Sequence, residues 1–268
     1  MVALIDLDSL LYKAVYKIVS FSQMREAIKN YGKENAKQWL KETVYNEGIN
    51  RCENQILQIN NYLSNVFFEE ITSYELFITT CTKSYRKELS KEYKSNRKQN
   101  NYVWLLREHY KFNDAFFSDV YEADDLIADR AKELGNGNYI IVSMDKDLKQ
   151  IGGYYWSYYM VKSKDMYGDY ILNEYGIHET EYKQKDVEFI SKEKADLFFW
   201  QQMLTGDSSD NIKGLHRVGI KTAEKILQRE GSNFITVARE YIKREQKEDF
   251  RTNYKLLKLG TYETTNDS

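Results

Sequence analysis

Residues 139–147 read YIIVSMDKD, an apolar segment followed at once by two acids. The first part, YIIVS, is short, rich in β-branched and aromatic residues, and preceded by the glycine-rich turn GNGN, so it predicts a buried β-strand. Asp145 and Asp147 follow that strand directly. In open α/β sheets, ligands bind outside the carboxyl ends of the strands, so this stretch predicts both a fold class and the edge where a site lies.

On both sides of this segment, the sequence alternates between patterns typical of strands and patterns typical of helices. Such alternation predicts an α/β fold with a mostly parallel central sheet flanked by helices. From about residue 186 onward the pattern predicts helices only. We therefore expect an α/β domain over residues 1–185 and a helical region over 186–268. The predicted strands are 2–6, 74–79, 115–118 and 139–143, and the predicted helices are 9–18, two within 24–68, 102–111, 122–134 and 192–204.

Acidic residues occur at four separated places that the predicted sheet brings toward one edge. Taken singly, each group has an ordinary explanation, because acids at a helix start commonly cap it or pair with its dipole. Several carboxylates at one edge, however, cannot all ionise unless cations compensate them. The four groups are Asp6, Glu122 with Asp124 and Asp125, Asp145 with Asp147, and Asp207 with Asp210.

The available ligands narrow the choice of metal. The chain has three histidines and two cysteines, and neither type is spaced as in a zinc site. Cys52 and Cys81 are expected to be reduced thiols. Oxygen-only ligation favours Mg²⁺ or Mn²⁺. The number of acids predicts two ions, an arrangement that serves displacement at phosphorus.

Charge is segregated along the chain although the formal net charge is only −2. Residues 83–98 hold seven Lys or Arg against two Glu, and residues 213–229 hold five against one. Taken alone, such runs are usually solvated helix faces. No apolar run approaches the length of a membrane-spanning helix, so we expect a soluble protein that is not exported and has no membrane contact.

Five segments, in this order along the chain, resemble the motifs of one family, the structure-specific 5′ nucleases. The most specific is MLTGDSSDNIKGLHRVGIKTAEKIL at 203–227, which is similar to the family's GDxxDNxxGxxGxGxKTA signature. The resemblance implies a PIN-like nuclease fold, a basic gateway over 83–112 and a helix-hairpin-helix type element over 203–229. The other four segments are LIDLDSLLYKA, YRKELSKEYKSNRK, YEADDLIA and IVSMDKDLKQI.

The resemblance also implies a role for each matching residue. Asp6, Glu122, Asp124 and Asp145 would bind one metal ion, Asp147, Asp207 and Asp210 the second, and Asp125 would be a nearby acid. Arg86, Lys94 and Arg97 would reach the scissile phosphate, Tyr93 would stack on a terminal base, and Lys83 would assist. Gly214, Gly219, Lys221, Thr222 and Lys225 would hold duplex backbone, with a K⁺ ion bound by the hairpin at 214–220.

Two departures from the family pattern concern the acidic site. Thr79 or Thr80 stands where an Asp usually ends the strand before the gateway, so the first metal ion is expected to bind more weakly or through water. Asp8 stands where Ser is usual, and we interpret it as a helix cap.

These features predict a Mg²⁺-dependent 5′ to 3′ exonuclease or flap endonuclease that acts on DNA at 5′ ends, flaps or nicks, or on the RNA of RNA–DNA hybrids. We expect a monomer in the cytoplasm of a phage-infected bacterium. A catalytically weak DNA-junction or DNA-end binding protein with the same fold is the alternative favoured by the missing Asp. A third hypothesis is a ribonuclease related to the small domains that carry a similar acidic site. The hairpin segment at 214–225 argues against this hypothesis.

Overall fold

The computed structural model describes residues 1–67, 71–98, 100–162, 166–167, 169, 180–184, 186–231 and 233–261. The chain forms one central sheet with helices on both faces, followed by a helical cluster. Within the described residues, no helix has the length and apolar character needed to cross a membrane.

The helices and strands are named here in their order along the chain. They are β1 (Val2–Asp6), α1 (Leu7–Ala14), α2 (Phe21–Tyr31), α3 (Lys33–Val66), β2 (Ser73–Phe77), α4 (Tyr85–Leu89), α5 (Asn101–Lys111), β3 (Ala115–Phe116), α6 (Ala123–Leu134), β4 (Tyr139–Val142), a 3-10 turn (Lys146–Gln150), β5 (Gly153–Trp156), β6 (Tyr158–Lys162), β7 (Thr180–Gln184), β8 (Glu188–Ile190), α7 (Lys192–Thr205), β9 (Gly206–Asp207), β10 (Ile212–Lys213), α8 (Ile220–Glu230), α9 (Phe234–Lys243) and α10 (Lys247–Leu257).

The central sheet has the strand order β3-β2-β1-β4-β5-β8. Every pairing is parallel except that of β8 with β5. The predicted mostly parallel sheet flanked by helices is therefore confirmed. All four residues of β4 are buried, as expected for a central strand covered on both faces.

Two hydrophobic layers cover the sheet. One packs α1, α3 and α5 on the face that carries Ile5, Ile140 and Val142. The other packs α6 on the face that carries Leu4 and Ile141. Because neighbouring residues of β1 and β4 point to opposite faces, the carboxyl ends of these strands are fixed between two packed layers.

The two helices predicted within 24–68 form as α2 and α3. A capping box at Ser20 and Gln23 starts α2, and Gly32, with φ of 79°, separates the helices. The end of the second helix, predicted near residue 68, falls at Val66 because Phe67 already leaves helical geometry.

The expectation of helices only after about residue 186 is wrong at three short strands. Residues 188–190 form β8 and extend the central sheet, while β9 and β10 make a two-residue ladder in the turn between α7 and α8. Strands this short carry too few residues for period-two alternation to be visible in the sequence.

The helices after α7 pack around a separate core. Its buried residues include Phe199, Met203, Ala223, Leu227 and Tyr241. Tyr93 of the gateway is part of the same core. The gateway is therefore packed directly against the helical cluster.

We predict that Gly214→Ala destabilises the protein, whereas Gly219→Ala does not. A Cβ on Gly214 would lie 2.1 Å from the carbonyl carbon of Thr205, while a Cβ on Gly219 would meet nothing within 4 Å. The expected cost at Gly214 is about 1–3 kcal/mol, since two backbone segments must separate. Thermal unfolding of both variants measures this. Equal stabilities would contradict the close approach.

Candidate metal centre and nucleic-acid interface

Asp6 and Asp145 lie side by side at the carboxyl edge of the sheet. Asp6 is the last residue of β1 and Asp145 follows β4, and these two strands pair in parallel. Ser143 links them, because its hydroxyl donates to Asp6 Oδ2 over 2.6 Å and accepts from the backbone N–H of Asp145 over 2.8 Å. The edge position predicted from the sequence is therefore where these two acids meet. Ser143 was missed, since a serine after a strand carries no distinctive signal.

Asp124, in the first turn of α6, is close enough to both acids for their charges to raise its own proton affinity. Burial, together with the charges of Asp145 and Asp6, holds the pKa of Asp124 well above its usual range. Burial and the charges of Asp8 and Asp145 raise the pKa of Asp6 to about 7. The buried Asp6 Oδ1 has no hydrogen-bond partner among the described residues. A carboxylate oxygen that accepts no hydrogen bond and lies among other negative charges is suited to bind a cation.

Asp147 and Asp207 form a second acidic pair. Burial and the charges of Asp145 and Asp207 raise the pKa of Asp147 to about 8. Gln202 donates to Asp147 Oδ1 over 2.7 Å, and both the backbone N–H and the hydroxyl of Ser209 donate to Asp207 Oδ1. The turn after α7 thus delivers its first acid to the sheet edge.

Glu122 and Asp210 are instead paired with the protein's own cations. Lys94 Nζ lies 2.7 Å from Glu122 Oε2 and 3.7 Å from Asp210 Oδ2, and Arg97 pairs with Asp210. Burial opposes ionisation of Glu122, but Lys94 and Arg86 lower its pKa to about 2. These ion pairs hold the basic turn of the gateway against the acidic edge.

The predicted ligands are therefore near one another without forming a closed shell. Within the part of the chain that the structure describes, no group of three or more His, Cys, Asp or Glu side chains is arranged to hold one ion. The chemistry of the donor set still fits a hard cation, since the acids are oxygen donors and burial with nearby negative charge raises the pKa of Asp6, Asp124 and Asp147.

Arg86, predicted to reach the scissile phosphate, does not face the cleft. Its side chain is 1% exposed and makes a bidentate ion pair with Asp125, with both N–O distances at 2.6 Å. Its remaining N–H groups donate to the carbonyls of Leu256 and Lys258. Arg86 and Asp125 thus join α4, α6, the end of α10 and the segment after it, and in this arrangement the guanidinium is not available to a phosphate in the cleft.

Tyr93 is likewise not placed for base stacking. It is 4% exposed, its ring packs in the helical core, and its hydroxyl donates to Glu122 over 2.8 Å. A buried ring has no free face for a base. Lys83 and Arg97 are exposed and Lys94 is partly buried, so these three keep access to solvent.

Asp8 is not the cap that the sequence suggested. Asp6 occupies the N-cap position of α1, and Asp8 accepts from Arg107 Nε over 2.8 Å and from the backbone N–H of Thr79 over 3.2 Å. The hydroxyl of Thr79 in turn accepts from the backbone N–H of Ala123. A carboxylate therefore lies beside Thr79 although it belongs to α1. Arg107 lies in none of the segments that resemble family motifs, so the sequence gave no signal for it.

A cleft of about 1000 Å³ joins these groups. Both acids and basic residues of the gateway line it. Acids beside basic side chains suit a bound metal together with the phosphate that it contacts. The charged residues that line it are Asp6, Asp8, Lys87, Lys91, Lys94, Arg97, Lys98, Arg107, Glu122, Asp124, Asp145 and Lys146.

The predicted helix-hairpin-helix element spans α7, the β9–β10 turn and α8. Lys221, Thr222 and Lys225 are all exposed near the start of α8, and no side chain caps that helix. Uncapped N–H groups beside two lysines make a suitable phosphate site. Gly219 has room for a side chain, so this turn itself does not require glycine.

Sequence comparisons find relatives over part of the chain. No protein-family model matches. DNA polymerase I of Borreliella burgdorferi is 30% identical over 118 residues, which are 42% of this chain and 11% of that protein. The 5′-3′ exonuclease of Aquifex aeolicus is 31% identical over 150 residues, 53% of this chain and 46% of that protein. The matches span less than half of the length of these relatives.

Structural comparison covers nearly all of the chain. The phage T5 5′-exonuclease with bound zinc ions has a TM-score of 0.56 at 14% identity, over 97% of this chain and 90% of that one. The phage T5 flap endonuclease in complex with DNA and metal ions has a TM-score of 0.56 at 13% identity, over 96% and 88%. This likeness shows a shared fold. Parts of the chain are thus similar in sequence to a DNA polymerase I and to a 5′-3′ exonuclease, and the fold is that of the phage T5 5′-exonuclease.

The elevated pKa values predict that the metal-free protein loses stability as pH rises. Asp6 and Asp147, with pKa values of about 7 and about 8, keep in the folded state a proton that they lose near pH 4 when unfolded. Between the pKa values of the unfolded and the folded state, the unfolded protein binds fewer protons than the folded protein. The free energy of unfolding therefore decreases as pH rises. We expect the Tm to fall by about 5–10 °C between about pH 5 and about pH 8.5.

Mg²⁺ should restore most of that loss at the higher pH and have little effect at the lower one. Asp147→Asn should reduce the pH dependence, whereas Asn at the exposed Asp196 should not. Scanning calorimetry with and without Mg²⁺ measures both. A Mg²⁺ effect of equal size at the two pH values would argue against ionisation of these acids on metal binding.

Proposed function

We propose that the chain is a divalent-metal-dependent 5′ nuclease that hydrolyses DNA phosphodiesters at 5′ ends or flaps. The observation that carries the proposal is the meeting of three acids, Asp6, Asp124 and Asp145, at the sheet edge, in a cleft that basic residues of the gateway also line. The names of the relatives and of the structural neighbours favour the same activity.

In this proposal the acids divide into two ligand sets. Asp6, Asp124 and Asp145 would hold one ion, and Asp147 with Asp207 would hold the other. Glu122 and Asp210 would be free to contribute once substrate phosphate draws Lys94 and Arg97 away. When bound, Mg²⁺ or Mn²⁺ would lower the pKa of a coordinated water and neutralise charge on the phosphate.

The basic residues position the substrate. Lys94 and Arg97 exchange their present carboxylate partners for oxygens of the scissile phosphate, and the product carries a 5′ phosphate. The start of α8, with Lys221, Thr222 and Lys225, holds the duplex backbone, and the hairpin at 214–220 would bind a K⁺ ion beside it. The enzyme acts as a monomer in a phage-infected bacterial cell.

The test uses a duplex with a single-stranded 5′ flap, labelled at either end of the flapped strand. We expect Mg²⁺- or Mn²⁺-dependent cleavage that releases short products from the 5′ side, and no cleavage in EDTA. Matched RNA-flap and fully single-stranded RNA substrates distinguish a ribonuclease. Cleavage that begins at 3′ ends, or that persists in EDTA, would contradict the proposal.

A second candidate is a DNA-end or DNA-junction binding protein without turnover. Two observations favour it: Thr79 carries no charge at the strand end, and Glu122 and Asp210 are already neutralised by Lys94 and Arg97. Tight binding of flap DNA in Ca²⁺, with no product in Mg²⁺ or Mn²⁺, would select this candidate.

A further inference from the structure

A second groove runs beside the cleft, between α1, α3 and the start of α5. Its volume is about 1000 Å³. Tyr12, Lys98 and Trp104 line both this groove and the cleft. The two depressions are therefore neighbours that meet along one shared wall. We call the second one the α3 groove.

The α3 groove is basic. Lys37, Lys41 and Lys98 line it, against the single acid Glu108. Lys37 pairs with Glu34 over 2.7 Å, but Lys41 and Lys98 form no ion pair with any residue that the structure describes. Because Lys37 and Lys41 are one helical turn apart, their charges lie on the same side of α3.

Aromatic rings stand at the junction of the groove and the cleft. Tyr12 is 48% exposed. The guanidinium of Arg107 lies 6.0 Å from the centre of the Tyr12 ring and 5.0 Å from that of Trp104. Asp8 fixes that guanidinium through its Nε. The two rings are thus held by a buried cation while one keeps a solvent-exposed surface.

We propose that the α3 groove binds the single-stranded 5′ segment of the substrate, with bases on the aromatic rings and phosphates along the lysines. The inference rests on the proposed function. Exposed aromatic rings beside a row of cations are the features that bind unpaired nucleic acid without sequence preference, because every base has a stacking face. Paired bases have no free face, so the groove selects the flap rather than the duplex.

The first experiment separates flap from duplex. Fluorescence anisotropy in Ca²⁺ compares a duplex without a flap and the same duplex with a 5′ flap of about eight nucleotides. We expect Lys37→Glu with Lys41→Glu to weaken flap binding by about 5- to 10-fold and to leave the flapless duplex within about 2-fold. Lys29→Glu, an exposed charge reversal on α2 outside the groove, is the control. Equal losses on both substrates, or a loss in the control, would overturn the proposal.

The second experiment tests stacking. Tyr12→Ala should weaken flap binding by about 5- to 30-fold. Tyr12→Phe should bind the flap as tightly as the unmodified protein, because stacking needs the ring and not the hydroxyl. Failure of Phe to restore binding would overturn the stacking role. Binding is measured without turnover, so the groove and the proposed function can fail separately. An affinity that depends on flap length would support the groove even if the protein proved inactive. A protein that cleaves DNA but whose affinity does not depend on flap length would reject the groove alone.

Discussion

Asp145→Asn is expected to reduce Mg²⁺-dependent cleavage of a 5′-flap substrate by about 10³-fold or more, equivalent to about 4 kcal/mol of transition-state stabilisation. Asp145 lies at the carboxyl edge of the sheet, joined to Asp6 through Ser143, and it raises the pKa of Asp6, Asp124 and Asp147. An amide at this position keeps the shape but removes the charge that a divalent cation requires. Single-turnover cleavage with increasing Mg²⁺ measures the effect.

The matched control is Asp196→Asn, an exposed acid on α7 that pairs only with Lys192 among the described residues. It should cleave at the normal rate. The Asp145→Asn protein should also be at least as stable as the unmodified one, since a charge among like charges has been removed. Undiminished cleavage by Asp145→Asn would remove this acid from the metal centre.

The second large effect is on stability. Arg86→Ala is expected to lower the free energy of unfolding by about 3–5 kcal/mol, because it leaves Asp125 charged and unpaired in a fully buried place. The Tm should fall by about 10 °C. Lys87→Ala, the neighbouring residue with its side chain toward solvent, serves as the control.

The paired change Arg86→Met with Asp125→Leu separates the ion pair from a role in chemistry. If the pair is structural, the double variant should recover most of the lost stability and retain cleavage. Recovery of stability without cleavage would restore Arg86 to the catalytic residues.

The position of the acids at the carboxyl edge of the sheet could be predicted from the sequence. It depends on strand order, and YIIVS and VALID are buried strands whose ends must lie together. The pairing among charged side chains could not be predicted. Arg86, Lys94 and Arg97 occupy one basic run with a single sequence signal, yet Arg86 is buried against Asp125 while the others meet Glu122 and Asp210. That difference depends on the helices after α7, which pack on the gateway from far along the chain.

Asp8 illustrates the same limit. Its position in the first turn of α1 suggests a cap, and only the packing of α5 and the end of β2 shows that it binds Arg107 and Thr79. We predict that Asp8→Asn weakens Mg²⁺ binding by about 10-fold or less, since Asp8 adds negative charge near Asp6 from outside the principal ligand set. Calorimetric titration of Mg²⁺ measures this, and an unchanged affinity would show that Asp8 serves only to hold Arg107.

The most direct test of the metal centre is a crystal structure with Mn²⁺ and flap DNA, examined by anomalous scattering. We predict a Mn²⁺ peak bound by Asp6, Asp124 and Asp145, with a second beside Asp147 and Asp207. The absence of Mn²⁺ from this edge, with the scissile phosphate bound elsewhere, would contradict the proposed nuclease site.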